Sequence, residues 1–223
     1  MSIGTIVNGY KNGILLAYIA DKIPGIHLRK LLKIIYLMDE YFMKVRGFPL
    51  TWFEYFAWEK GPVALDVYNI KNGAFEKFVK YYRTDADKTI INLIPNISEL
   101  LEATFSKKEL GIIDKLIFLY KDHTADELSD ITHIKDSLWS KVVDANGIVF
   151  DRDHRVSNCR IYLETLFSKD DWRLAKYRDA LWSMEFEAKL SSDSNPEHKI
   201  QLHVVLPSEK EEYRSKVYSP AIP

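Results

Sequence analysis

The sequence predicts a mainly helical α+β fold, with six to eight helices, a small antiparallel sheet and a C-terminal extension that adds a β-hairpin. Three observations carry this expectation. Apolar residues at Leu28, Leu31, Leu32, Ile35, Met38, Phe42 and Val45 keep helical spacing, so one face of a long helix must be covered. Two stretches, Ser106-Lys-Lys-Glu109 and Thr124-Ala-Asp-Glu127, have a hydroxyl followed three residues later by a glutamate, the pattern of a capping box. Between the long helix and the first box lie two β-branched or aromatic segments, Thr51–Glu59 and Thr89–Ile94, which read as strands.

Taken in order, Tyr10–Lys22 is expected to be a first helix with Ile14, Leu15, Tyr18 and Ile19 inward, stopped by Pro24-Gly25. The long helix follows from about His27 to Arg46, with Leu31, Ile35, Met38 and Phe42 in the core, and Gly47 ends it. In the aromatic strand, Trp52, Phe56 and Trp58 alternate with Phe53, Tyr55 and Ala57. Gly61 supplies a joint, and Pro62 suits the first position of a short helix to Lys71, because its missing N–H has no partner to lose there. Gly73 caps that helix. Phe75, Phe78, Val79 and Tyr82 continue at helical spacing, and Thr89–Ile94 is expected to pair with the aromatic strand. The boxes open helices through Tyr120 and Ile131, and Leu138, Trp139 and Val142 mark a further one ending near Asn146-Gly147.

That glycine divides the expected organisation into a domain over residues 1–147 and an extension over residues 148–223. In the extension, Ser168–Asp171 cap a helix holding Trp172 and Ala175. Trp182, Met184, Phe186, Ala188 and Leu190 then alternate with polar residues, as do Ile200, Leu202, Val204 and Leu206, which predicts two arms of a hairpin around Ser191–Pro196. The competing reading of the first arm is a helix continued to Leu190.

Composition narrows the function classes. Among 223 residues, 31 basic side chains oppose 32 acidic ones, so no global field draws in nucleic acid or an anionic membrane. The single cysteine, Cys159, excludes an internal disulfide and a multi-cysteine zinc site. No signal peptide is expected from the first residues, and the apolar run Ile14–Ile23 is too short to span a bilayer, so the expected location is the cytoplasm. Glycine-rich phosphate loops, nucleophile elbows and zinc-protease motifs are absent from the sequence. Asp151, Asp153 and His154 form a cluster from which a metal site or a hydrolytic enzyme could be built, against the plainer reading of a solvated charged loop. His123 lies among aspartates that better suit a helix N-terminus, and His198 and His203 fall on opposite faces of a strand. No catalytic residue, metal or cofactor is therefore expected.

The dense feature is aromatic. Five of the seven residues from Trp52 to Trp58 are aromatic, on both faces of one strand, and a small sheet readily covers one face only. The other face, or the strand's edge, is then a candidate surface for a partner chain. His133, with Thr132 beside it and Trp139 further on, is a second candidate, against a reading as a helix C-cap and a core filler.

These same segments resemble a known family. The helix Lys30–Asp39, KLLKIIYLMD, the strand and joint Phe53–Val63, FEYFAWEKGPV, with Tyr68 beyond it, and Thr124–His133 followed by Trp139 resemble the SocA-like antitoxins, or Panacea domain. The resemblance implies an antitoxin that neutralises a cognate toxin by binding rather than catalysis, and one member type of the family hands its toxin to a protease as an adaptor. The partner-binding candidates are Trp52, Tyr55, Trp58, Gly61, Pro62, Tyr68, Thr132, His133 and Trp139. The rival expectations are a phage-derived regulatory protein without a toxin and the hydrolase built on Asp151, Asp153 and His154.

Overall fold

The computed structural model describes residues 8–83 and 88–193. These fall into two compact units, one ending at Tyr177 and another whose described part begins at Arg178. As expected, the architecture is mainly helical with small antiparallel sheets.

Two helices form the centre of the first unit. Helix α1, Gly9–Lys22, starts where the Asn8 side chain accepts from the Lys11 N–H at 2.9 Å, and it is buried continuously from Asn12 to Ala20. Helix α2, Leu28–Arg46, is buried continuously from Leu31 to Asp39 and again at Phe42 and Met43, and ends at Gly47 with φ +91°. Leu31, Ile35, Met38 and Phe42 lie in the core as the spacing predicts, whereas Val45 is exposed. Over Leu31–Asp39 the helix is covered on every side, unlike the amphipathic surface helix the stripe suggests, and this draws Lys33 and Asp39 inside with the apolar residues.

The first sheet is three-stranded, with β1, Tyr55–Trp58, in the middle. Strand β2, Gly61–Ala64, returns antiparallel with Trp58 opposite Gly61 and Tyr55 opposite Ala64. Gly61-Pro62 thus opens a strand, not a helix, and the helix that follows, α3, is confined to Leu65–Tyr68. Pro62 is tolerated because its opposite number, Ala57, points its N–H the other way, to the Cys159 carbonyl at 2.9 Å. The segment around Cys159 forms the far edge. Arg160–Ile161, written β5 in chain order, pairs antiparallel with Tyr55 and Phe56, so a strand beyond Gly147 completes this sheet.

The second sheet is the hairpin of β3, Val79–Arg83, and β4, Lys88–Asn92. Thr89–Ile94 therefore pairs with a segment expected to be helical and not with β1. Phe75, Phe78, Val79 and Tyr82 fit a helical period, but Val79 and Ile90 are the buried residues of a half-exposed ribbon, and the Ile90 N–H is held by the Ile26 carbonyl at 2.9 Å. Helix α4, Ile97–Thr104, was not among the expected elements, and it enters from Asn96 in a left-handed conformation without a side-chain cap. Helices α5, Lys107–Tyr120, and α6, Ala125–His133, open on the two reciprocal capping boxes. Helix α7, Leu138–Ala145, is capped by Ser137. Helix α8 runs Trp172–Asp193, so the first arm of the expected hairpin is helical. Trp182 and Phe186, four residues apart, stack at 5.3 Å along it, a pairing that a strand would not give. The second arm, Ile200–Leu206, lies outside the described residues.

One buried carboxylate ties α2 to the first sheet. Asp39, 0% exposed, accepts from the Leu50 N–H at 2.8 Å, the Thr51 N–H at 2.9 Å and the Tyr55 hydroxyl at 2.7 Å, and also from the Thr51 hydroxyl. Burial raises its pKa, and these four bonds oppose the rise. Asp39→Ala strands four donors in a dry site and is expected to cost about 3–5 kcal/mol. Urea unfolding monitored by tryptophan fluorescence measures it, and a midpoint equal to the wild type's would refute the role given to this carboxylate.

Candidate functional site

The site forms where α2, the β1–β2 turn, α6 and α7 meet. Glu59 and Lys60 make the turn, and Gly61 follows with φ +99°. A Cβ at Gly61 would lie 2.7 Å from Thr132 Oγ1, 2.8 Å from Lys33 Nζ and 3.0 Å from His133 Nε2. Both the backbone conformation and the close approach require glycine here. The same distances say that three polar side-chain ends converge on one side of the turn.

Each is set by its own element. Lys33 is 1% exposed, its stem held among the apolar residues of α2, and its ammonium donates to the Pro62 carbonyl at 3.0 Å. Burial, assisted by the charge of Arg29 one turn earlier, pushes its pKa down to about 7. Thr132 uses its hydroxyl to donate to the Ser129 carbonyl at 2.8 Å, within α6. The Ser129 hydroxyl in turn lies 3.1 Å from the Lys60 carbonyl, fixing α6 against the turn. His133 closes α6 with its ring half-buried and its Nε2 fully buried, without a hydrogen-bond partner. Burial first, then the Lys33 and Lys60 charges, hold its pKa down at about 4 against the opposing pull of Asp130, so the imidazole is neutral near pH 7.

Aromatic rings continue from the recess towards the surface. His133 stacks on Trp139 with centroids 3.7 Å apart, and Trp139 stacks in turn on Phe150 at 6.0 Å. The Trp139 indole N–H donates to the Trp58 carbonyl at 2.9 Å, and Trp58 meets Tyr68 edge-on at 4.8 Å. Lys71 Nζ sits over the Tyr68 ring at 3.6 Å. Trp58, Tyr68, His133 and Trp139 are all half-exposed, and each is fixed by a ring or a hydrogen bond.

Of the nine candidates, the structure brings together Trp58, Gly61, Pro62, Tyr68, Thr132, His133 and Trp139. Trp52 belongs to a different stack, between Phe48 and Tyr177. Tyr55 corrects the expectation: it is 0% exposed, set edge-on against Tyr36 with its hydroxyl on Asp39, and so cannot be reached by a partner. Asp151 and His154 form a local surface turn in which the carboxylate accepts from the Asp153 and His154 N–H groups, both at 2.8 Å. Among the described residues no group of three or more His, Cys, Asp or Glu side chains is placed to hold a metal ion. Sequence reasoning missed Lys33. Its signal was present, as the one cation within the otherwise apolar run Leu31–Met38.

With this geometry in hand, comparison with known proteins identifies the framework. Residues 31–140 match the family model of the SocA-like antitoxins, Panacea domain. This stretch is a Panacea domain. No curated protein and no solved structure matches the chain. The Panacea domain contains Lys33, Asp39, the β1–β2 turn, His133 and Trp139, while α1, β5 and Phe150 come from outside the matched stretch. No helix among the described residues is long and apolar enough to cross a membrane.

Two measurements test the recess. Gly61→Ala forces a side chain into a left-handed conformation against Thr132 and Lys33, with an expected loss of about 2–4 kcal/mol. Lys33 gives a pH signature: its pKa is about 7 folded against 10.5 in the unfolded chain, so between these values the unfolded state binds more protons. Its contribution to stability therefore rises as pH increases from about 7 towards 10. Lys33→Met should flatten that rise in a series of urea midpoints, and identical pH profiles would contradict the burial of the amine.

Proposed function

We propose that this chain is an antitoxin of a bacterial or phage toxin–antitoxin system, which neutralises a cognate toxin in the cytoplasm by binding it directly. The observation that carries this reading is the Panacea domain over residues 31–140, a domain of antitoxins. The seam of Trp58, Tyr68, His133 and Trp139 supports a binding role. Large rings, half-exposed and already fixed by their neighbours, supply contact area at little cost in conformational freedom. The seam, rather than β1 as a whole, is the surface we assign to the toxin, because Tyr55 and Ala57 point into the core. Binding is favoured over hydrolysis because Asp151 and His154 are spent on each other and on their own turn.

The test is coexpression. A growth-inhibiting product of a neighbouring gene should be silenced by the wild-type chain and should copurify with it. Trp139→Ala combined with Trp58→Ala, with the fold checked by circular dichroism, should weaken binding by at least about tenfold, the scale of an aromatic hot spot. Relief of inhibition that needs a host protease would identify an adaptor instead of a direct neutraliser. Failure of the wild-type chain to relieve inhibition by any neighbouring product would overturn the antitoxin reading.

A further inference from the structure

We propose that the recess behind Gly61 seats an acidic group of the bound partner, with Lys33 Nζ and His133 Nε2 as its receptors, so that the partner's carboxylate completes an ion pair the free chain leaves open. This rests on the reading of the chain as a partner-binding protein and names the chemistry that such a partner must present.

Three observations converge on it. The first is placement: Lys33 Nζ and His133 Nε2 lie 2.8 and 3.0 Å from one point, the absent Cβ of Gly61, with Thr132 Oγ1 beside them. The second is incomplete satisfaction. An ammonium has three donors, and the acceptor found for Lys33 is a single neutral carbonyl, that of Pro62. No carboxylate among the described residues forms a salt bridge with Lys33, although it is 1% exposed. His133 Nε2 is buried with no hydrogen-bond partner among the described residues. Two such groups side by side are costly to leave unpaired and are jointly suited to a bidentate acceptor. The third is charge. Facing the recess are Lys33 and Arg29 from α2, Lys60 from the β1–β2 turn, and His133 and Asp130 from α6. Arg29 is already held by Asp126 at 3.0 Å, and α7 contributes only the neutral Trp139 ring. With Arg29 paired to Asp126 and the His133 imidazole neutral, Lys33 and Lys60 are left against the single acid Asp130, so the recess favours an anion.

Access runs past His133. Its ring is half-exposed on one side while Nε2 faces the recess, and Lys60 stands exposed beside the turn. A carboxylate entering there meets Lys33 in a nearly dry site, where an opposite charge restores the protonated amine. Binding near neutral pH is accordingly accompanied by proton uptake.

The first experiment needs no partner. The full chain, labelled with ¹⁵N in its lysine and histidine side chains, is titrated with sodium formate as the carboxylate probe, against sodium chloride at the same ionic strength. Saturable shifts of the Lys33 Nζ and His133 Nε2 signals with formate, lost in Lys33→Met and reduced in His133→Gln, are expected. Methionine keeps the length of the stem, so Lys33→Met should melt no lower than the wild type, and His133→Gln supplies the comparison should it not fold. No saturable shift, an equal response to chloride, or a response that survives in Lys33→Met would overturn the proposal. The second experiment measures binding of the neighbouring gene product that the wild-type chain silences. Lys33→Met should weaken it by about thirtyfold or more, the lower end for loss of one member of a buried charge pair. Unchanged affinity would overturn the partner's use of the recess. A wild-type chain that responds to formate but silences no neighbouring product leaves the carboxylate site standing and removes the antitoxin reading, so the two failures are distinguishable.

Discussion

The carboxylate of Asp39 is the constraint from which the arrangement of the first unit follows. It projects from the end of the stretch Leu31–Asp39, over which α2 is buried without a break, and it takes up the N–H groups of Leu50 and Thr51 where the chain has left α2 and not yet begun β1. Those donors have no ladder partner at that point, and a buried N–H without an acceptor costs about 1–3 kcal/mol. With the Tyr55 hydroxyl on the same carboxylate, the strand's first residue is fixed to the helix face before any strand pairing is counted. The direction of β1 is thereby set, and with it the alternation that sends Phe53, Tyr55 and Ala57 inward and leaves Phe56 and Trp58 half-exposed.

From that anchor the site follows geometrically. Because β1 is held at one end, the β1–β2 turn at its other end arrives against α2 one helical face away from Asp39, beside Lys33. Gly61 allows contact close enough for the Pro62 carbonyl to receive the ammonium, and Ser129 and Thr132 of α6 close in from the far side. Segments outside the Panacea domain finish the work. Ser157 donates to the Ala57 carbonyl at 2.6 Å and Cys159 accepts from the Ala57 N–H, so β1 is paired on both edges and offers no free edge to a partner. The aromatic seam, built of side chains rather than backbone, is the surface left to the proposed binding role.

The parts of this that were legible in the sequence are those that local chemistry decides. The capping boxes at Ser106 and Thr124, the glycines at 47 and 73, and the apolar stripe of α2 each act within a turn or two of chain. What was not legible depends on contacts distant in sequence. The partner of Thr89–Ile94 is decided by which apolar side chains Val79 and Ile90 can bury against and by Ile26 offering its carbonyl, none of which a periodicity records. The same holds for β5, a two-residue strand whose pairing with β1 joins residues about a hundred positions apart. At Trp182 the sequence was ambiguous because alternation over five positions also places residues four apart on one helix face, and the Trp182–Phe186 stack resolves it in favour of the helix. Gly61-Pro62 misled for a subtler reason, since proline suits both a helix's first turn and a strand position whose N–H points away from the ladder.

The candidate site shows the same division. Its rings were legible because aromatic density is a property of composition, whereas the recess they surround was not, because its members come from four elements and its key residue looks like an ordinary surface lysine. Yet Lys33 is where the physical account is most demanding. A methionine or leucine in its place would fill the same volume without a buried amine, and replacing buried charge by well-packed apolar side chains is often neutral or stabilising. Stability of the free chain therefore does not explain a lysine there, and neither does the single hydrogen bond to the Pro62 carbonyl, which a water could donate equally well. An amine held close to its point of charging, beside an imidazole nitrogen with no partner among the described residues, is an arrangement that the proposed carboxylate of a partner would complete. A protein docked on the aromatic seam, as the proposed function has it, would bring its side chains beside this pair.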